Sequence, residues 1–377
     1  MRPNTLLSFL VWATSGCIGT PESLPACDSW GGGNMICGLM NPEDLSYLPR
    51  DGWVVVSEIH FTDPSADDEA GPFIPGRLTA IRPSESGDGV ERRKLFPHEW
   101  AEAAPDANRW GDPQCDGPPS AEDFQPHGID VGPGPEGQPA LAVVTHGERE
   151  VIDLFEIAAG PEPALEWRGC VSMIESGSAN DVALIEAGSF VVTNMMPRFE
   201  SIGFKAIWNG LKISMGFATG SVLHWSSENG WVELENSRAS GPNGIAISAD
   251  GRVVYVSEWG GEAVYRLRFA QGIRAGATPE RDEVEIDGSP DNLTWTADGR
   301  ILVAAQQTGP IGALKCGKIT SGGCDIGFTV TSIEPATMAA TPVITGRGAA
   351  SVALEVGDEI WVGVFAGDSI TRVPKPE

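Results

Sequence analysis

Short apolar runs separated by turn residues fill most of this chain, and within them apolar and polar residues alternate at the two-residue period of a β-strand. Several runs are paired across Asp-Gly. Leu45 to Leu48 turns at Asp51-Gly52 into Trp53 to Ser57, Ile245 to Ser248 at Asp250-Gly251 into Val253 to Ser257, and Leu293 to Thr296 at Asp298-Gly299 into Ile301 to Ala305. Glycine accepts the positive φ that a tight hairpin needs, so each pair predicts a β-hairpin. Val182 to Thr193 and Val352 to Val364 repeat the scheme with other turns, and the copy that starts at Ile129 has a longer connection, Pro133 to Pro139.

A third run follows each hairpin: Gly76 to Arg82, Val151 to Ile157, Ser221 to Ser226, Glu262 to Phe269, Gly312 to Ile319 and Asp368 to Val373. A fourth follows most of them, at Ala164 to Val171, Trp231 to Glu235, Val284 to Ile286 and Phe328 to Ile333. Four strands to a repeat and six repeats predict an all-β fold, a six-bladed β-propeller over residues 34–377. The sixth repeat ends without a fourth strand, and residues near Asn34 to Leu39 are expected to supply it and close the ring. The insertions Thr62 to Phe73 and Pro97 to Asp123 read as surface loops.

Each hairpin opens on one short motif, whose first polar residue changes from copy to copy. The copies are Pro42-Glu43-Asp44-Leu45, Pro126-His127-Gly128-Ile129, Ala179-Asn180-Asp181-Val182, Pro242-Asn243-Gly244-Ile245 and Pro290-Asp291-Asn292-Leu293, with Ala349-Ala350-Ser351-Val352 as a sixth that has lost its polar group. In a propeller the innermost strands begin around one end of a central channel, so Glu43, His127, Asn180, Asn243, Asp291 and Asn292 are expected to converge there. Any one Asn or Asp is ordinarily a turn cap. Five copies in register are not explained that way. Two carboxylates and three amide oxygens, from Glu43, Asn180, Asn243, Asp291 and Asn292, suit calcium better than zinc.

Glycine (47) and proline (29) are plentiful, as a turn-rich β-protein requires, and the net charge of −27 disfavours nucleic acid as a partner. The N-terminus has the parts of an export signal, residues 1–17: Arg2, an apolar stretch from Leu6 to Ala13 too short to span a bilayer, and Thr14-Ser15-Gly16-Cys17. Ser15-Gly16-Cys17 also resembles the end of a bacterial lipobox, with lipidation of Cys17 and membrane attachment as the consequence, although Thr14 stands where leucine is preferred. Residues 18–33 read as a linker. Export leaves six cysteines in an oxidising compartment. Cys316 and Cys324 flank a Gly-rich turn and suit a small loop; Cys27 with Cys37 and Cys115 with Cys170 are one choice among fifteen possible connectivities.

Pro-Glu-Asp-Leu, Pro-His-Gly-Ile, Asn-Asp-Val, Pro-Asn-Gly-Ile-Ala-Ile-Ser-Ala-Asp-Gly and Pro-Asp-Asn-Leu together make the chain, from about Pro42 to Val373, resemble the paraoxonase/arylesterase group of six-bladed calcium propellers. These lie within the wider set of gluconolactonase-like and strictosidine-synthase-like propellers. The resemblance implies a catalytic calcium on Glu43, Asn180, Asn243, Asp291 and Asn292, and a second, deeper structural calcium on Asp44, Asp181 and the main-chain carbonyl of Ile129. It implies a dyad of His127 and His146, which the strand pattern also brings to one rim. The implied activity is calcium-dependent hydrolysis of lactones or aryl esters, with the substrate carbonyl polarised by the calcium and His127, helped by His146, taking a proton from water; Asp291 as base or nucleophile is the alternative. Two rivals are a non-catalytic ligand-binding propeller stabilised by calcium and a gluconolactonase-like sugar-lactone hydrolase.

The chain departs from the group at three places. Gln306 stands where an active-site histidine is common, Met195 where an acidic residue follows Thr193-Asn194, and the C-terminus lacks the cysteine that staples the ring in animal members. Between Asn194 and Ser221, the residues Phe204, Ile207, Trp208 and Leu211 recur at helical spacing. That insertion predicts a short helical lid whose Phe204 and Trp208, with Gln306, line a substrate pocket.

Overall fold

In a computed structural model the structure describes residues 23–27, 34–48, 52–60, 74–84, 89–97, 109–158, 160, 162–185, 188–198, 204–274, 276–319 and 321–376. Six sheets form the six blades of a propeller. The innermost strands are Pro42–Tyr47, Gln125–Pro133, Gly177–Leu184, Pro242–Ile247, Ser289–Trp295 and Ala349–Val356. Each packs on the next and the sixth packs on the first, so the ring is closed. Closure is made as the sequence predicts: Met35–Cys37 pairs antiparallel with Ser369–Pro374 and supplies the outer strand of blade six.

Apolar side chains are buried between blades. One cluster sits at each seam, for example Leu45, Val56, Val352 and Trp361 between blades six and one, and Val191, Val222, Ile245 and Tyr265 between blades three and four. The inner and middle strands bury both faces and the outermost do not. In Glu280–Glu285 the four acidic residues and Arg281 stay on the outer edge, which is where part of the negative charge resides.

Three features differ from the sequence-based expectation. The run Gly312 to Ile319 is not the third strand of blade five: Pro310–Leu314 forms a short helix running into a 3-10 turn at Lys315–Lys318. Pro310 occupies the first helical turn, where its missing N–H costs nothing, and the third strand is Gly327–Glu334, paired with a fourth at Ala339–Arg347. The stretch 97–123 is not all loop, because Trp110–Gly111 adds a parallel fifth strand to blade two. Within the expected linker, Ser23–Leu24 pairs with Gly323–Cys324 and the Cys27 amide donates to Asp368, so residues 23–27 are docked on the propeller.

Disulfides join Cys27 to Cys37, Cys115 to Cys170 and Cys316 to Cys324, which fits a chain that folds in an oxidising compartment. Among the described residues no helix is long and apolar enough to cross a membrane. The expected signal at 1–17 and the lipidation of Cys17 lie outside the described residues.

Candidate metal centre and histidine relay

All six innermost strands carry a register shift at the motif, at Pro42/Asp44, Pro126/Ile129, Ala179/Val182, Pro242/Ile245, Pro290/Leu293 and Ala350/Val352. A regular strand would send successive side chains to opposite faces; a bulge re-aims one of them. This is how adjacent residues such as Asp291 and Asn292 can serve one centre. The blades also approach closely here. A Cβ on Gly128 would lie 2.4 Å from Asp181 Oδ1, and one on Gly244 would lie 2.4 Å from the Asp291 carbonyl oxygen.

Glu43, Asn180, Asn243, Asp291 and Asn292 are all buried. Each holds one oxygen with no hydrogen-bond partner: Glu43 Oε2, Asn180 Oδ1, Asn243 Oδ1, Asp291 Oδ1 and Asn292 Oδ1. Buried polar atoms are almost always paired, yet five of those left over among the described residues belong to the set expected to bind one ion. The remaining atoms of these side chains are engaged. Asn292 Nδ2 donates to Glu43 Oε1 at 3.1 Å, and Asn180 Nδ2 points at Met195 Sδ at 3.7 Å, so neither amide offers its nitrogen to the shared space.

The acidic groups repel one another. Burial, and then the charges of Asp291, Asp44 and Asp181, push the Glu43 carboxyl far above the usual carboxylate range. Burial raises Asp291 to about 7 against the hydrogen bonds from Gln306 and Asn243 that lower it. Three of the five residues, Asn180, Asn243 and Asn292, offer amide oxygens, and among the described residues no three His, Cys, Asp or Glu gather as a metal site. That chemistry fits a hard cation such as calcium.

Asp44 and Asp181 are placed differently from the other five. Asp44 accepts from the Leu45 amide at 2.8 Å and from the Ile129 amide of the next blade at 2.7 Å; Asp181 accepts from Val182 at 2.7 Å and from Ile245 of the next blade at 2.8 Å. Each carboxylate therefore staples two blades. Ile129 meets this pair through its N–H. Burial raises the Asp44 carboxyl to about 8 and Asp181 well above its ordinary value, with nearby carboxylates adding to both.

His127 and His146 are brought together, His127 Nδ1 lying 2.9 Å from His146 Nε2. His127 Nε2 is 3.7 Å from Glu43 Oε1, too far for a hydrogen bond but at the edge of the oxygen cluster. Burial, and secondarily His146, hold the His127 imidazole well below its ordinary pKa and so neutral at neutral pH. A third member was not singled out from the sequence. Glu150 lies across the turn after His146, with its oxygens 2.9 and 3.0 Å from His146 Nδ1, and it also accepts from the Ala179 amide beside Asn180.

Gln306 is fully buried, and its amide is used at both ends. Nε2 donates to Asp291 Oδ2 and to the Ala350 carbonyl, each at 2.7 Å, while Oε1 accepts from Trp259 Nε1 at 2.7 Å. It stands behind Asp291 as a support and offers no free polar atom to a pocket. The predicted helix over the insertion is present as α1, Phe204–Ser214. It docks through Ile213, which is 1% exposed and whose carbonyl accepts from Ser240 Oγ. Trp208 and Leu211 point outward, 46% and 39% exposed. The side chains of Phe204 and Ile207 lie outside the described residues.

The family model described as arylesterase matches residues 103–313. No curated protein matches the chain. Among solved structures, a gluconolactonase from Xanthomonas campestris is 14% identical, covering 94% of this chain and 95% of its own, with a TM-score of 0.49. The PQQ-bound aldose sugar dehydrogenase from Streptomyces coelicolor is 15% identical over 90% and 96%, with a TM-score of 0.47. A virginiamycin B lyase from Staphylococcus aureus is 12% identical over 90% and 97%, with a TM-score of 0.44. At these identities the likenesses say nothing of chemistry.

Proposed function

The chain belongs to the arylesterase family, and from that premise we propose that it is a calcium-dependent hydrolase of lactones or aryl esters. The observation that carries the calcium is the set of five buried oxygens without partners, on Glu43, Asn180, Asn243, Asp291 and Asn292. These residues would hold the ion. Bound there, calcium supplies Lewis-acid polarisation of a substrate carbonyl. A second ion would be held by Asp44, Asp181 and the main-chain carbonyl of Ile129, where burial and neighbouring carboxylates raise both acids and a cation would relieve that repulsion.

His127 acts as general base in this reading. Its imidazole is neutral, and its Nε2 faces the cluster where the carbonyl would sit. Water gives a proton to Nε2 while its oxygen forms a bond to the carbonyl carbon; collapse then expels the alkoxide or phenolate. Asp291 is a weaker candidate for that role, because Gln306 occupies its Oδ2 and its Oδ1 would be taken up in holding the ion. Trp208 of α1, an exposed apolar residue on the helix over the insertion, would wall the substrate's acyl or aryl group. In Asn292→Ala and Asp291→Ala, calcium binding measured by titration calorimetry and hydrolysis are expected to disappear together. Full hydrolysis by either purified variant would sink the metal assignment.

A further inference from the structure

Glu150 has no part in the cluster of unpartnered oxygens, yet it is 7% exposed and points both oxygens at one imidazole nitrogen. A carboxylate only accepts hydrogen bonds, and this one also takes the Ala179 N–H, so the nitrogen it faces, His146 Nδ1, must carry a proton. In a neutral His146 the lone pair is then on Nε2. That nitrogen lies 2.9 Å from His127 Nδ1, which must therefore be the donor. The consequence falls on the last atom of the row: His127 Nε2 is left with its lone pair toward the oxygen cluster. One carboxylate fixes the tautomers of two rings.

We propose that Glu150 is the positioning residue of a Glu150–His146–His127 relay, setting both imidazole tautomers so that His127 Nε2 is the basic nitrogen of the site. The proposal deepens the hydrolase reading and rests on it for its kinetic consequence. Glu150 also ties the relay to the strand that carries Asn180, because the amide it accepts from is that of Ala179.

The test uses the full chain with its histidines labelled with nitrogen-15, in the wild type, Glu150→Gln and Glu150→Ala. The wild type is expected to show His146 protonated at Nδ1 and His127 unprotonated at Nε2, and Glu150→Ala is expected to lose that single tautomeric state. Toward a hydrolysed ester or lactone, kcat should fall on the order of 10- to 100-fold in both variants, with KM changed less than about twofold. Glu150→Gln keeps an acceptor for the Ala179 amide and so guards against misfolding; thermal melting of each variant is the control. Unchanged His146 and His127 tautomers in Glu150→Ala would overturn the proposal, as would wild-type kcat. If the wild type hydrolyses nothing, the hydrolase reading fails alone and the nitrogen-15 spectra still decide the role of Glu150.

Discussion

Replacing Gln306 with leucine separates a support for the metal centre from a wall of the substrate pocket. Leucine fills nearly the same space but provides none of the three hydrogen bonds that reach Asp291 Oδ2, the Ala350 carbonyl and Trp259 Nε1 at 2.7 Å each. Trp259 is half-buried and can turn to water, while Asp291 and Ala350 are buried and cannot. The buried Ala350 carbonyl loses this donor, while Asp291 keeps the hydrogen bond from Asn243; a buried acceptor stripped of its donor costs about 1–3 kcal/mol, so Gln306→Leu should lose roughly 1–3 kcal/mol of unfolding free energy. Urea unfolding with calcium present measures this, and titration calorimetry should show weaker calcium binding, because Asp291 has lost one of the two donors that hold its carboxylate. Gln306→Glu is expected to be at least as damaging, since it sets a carboxylate against Asp291. Wild-type stability and calcium affinity in Gln306→Leu, with an altered KM, would refute the reasoning and make Gln306 a substrate contact.

The buried carboxyl of Asp153 accepts from Trp167 Nε1 at 2.9 Å and is raised by burial from 3.8 to about 6, against the pull of Trp167 and Arg149. Because the folded value exceeds the unfolded one, the folded state holds the proton more tightly, and this group's contribution to stability is lost as pH rises from about 4 to about 6. The loss is about 3 kcal/mol. Asp153→Asn should flatten that part of the pH–stability curve relative to wild type in urea titrations, and an unchanged curve would show that Asp153 does not titrate as described. Removing the Cys115–Cys170 disulfide, whose cysteines are 55 residues apart, should lower the unfolding free energy by about 4 kcal/mol in urea; a loss under about 1 kcal/mol would mean the cross-link restrains little. Trp208→Ala, at a position 46% exposed, should leave stability within about 0.5 kcal/mol of wild type and raise KM for an aryl ester several-fold. An unchanged KM would remove α1 from the pocket.

The hairpins were legible because Asp-Gly at 51–52, 250–251 and 298–299 marks the turns locally, and the repeated motif put one polar residue of each blade in register. What the motif could not show is how neighbours such as Asp291 and Asn292 can both present a buried, unpartnered oxygen; that depends on the bulge in each innermost strand, which has no local signature here. The Gly312 to Ile319 run is short and apolar enough to read as either strand or helix, and Pro310 was the one cue that favoured the helix. Periodicity found the stripe of α1 that carries Trp208 and Leu211, but not that Ile213 would face inward instead. Gln306 read as a pocket residue from its place in the repeat, and only the third dimension shows its amide saturated. Glu150 had one weak signal, a carboxylate four residues after His146 across a tight turn, which by itself looks like an ordinary surface pair.

The central claim is that calcium on the five oxygens makes this propeller a hydrolase. Its most direct test is hydrolysis of phenyl acetate, an aliphatic δ-lactone and an acyl-homoserine lactone by the purified protein, with calcium, after chelation, and after calcium is restored. The account predicts turnover of at least one substrate that vanishes on chelation and returns with calcium. Turnover that survives complete removal of calcium would contradict it, and so would no turnover of any substrate in a protein whose melting temperature still falls on chelation, which would leave the ion in a purely structural role.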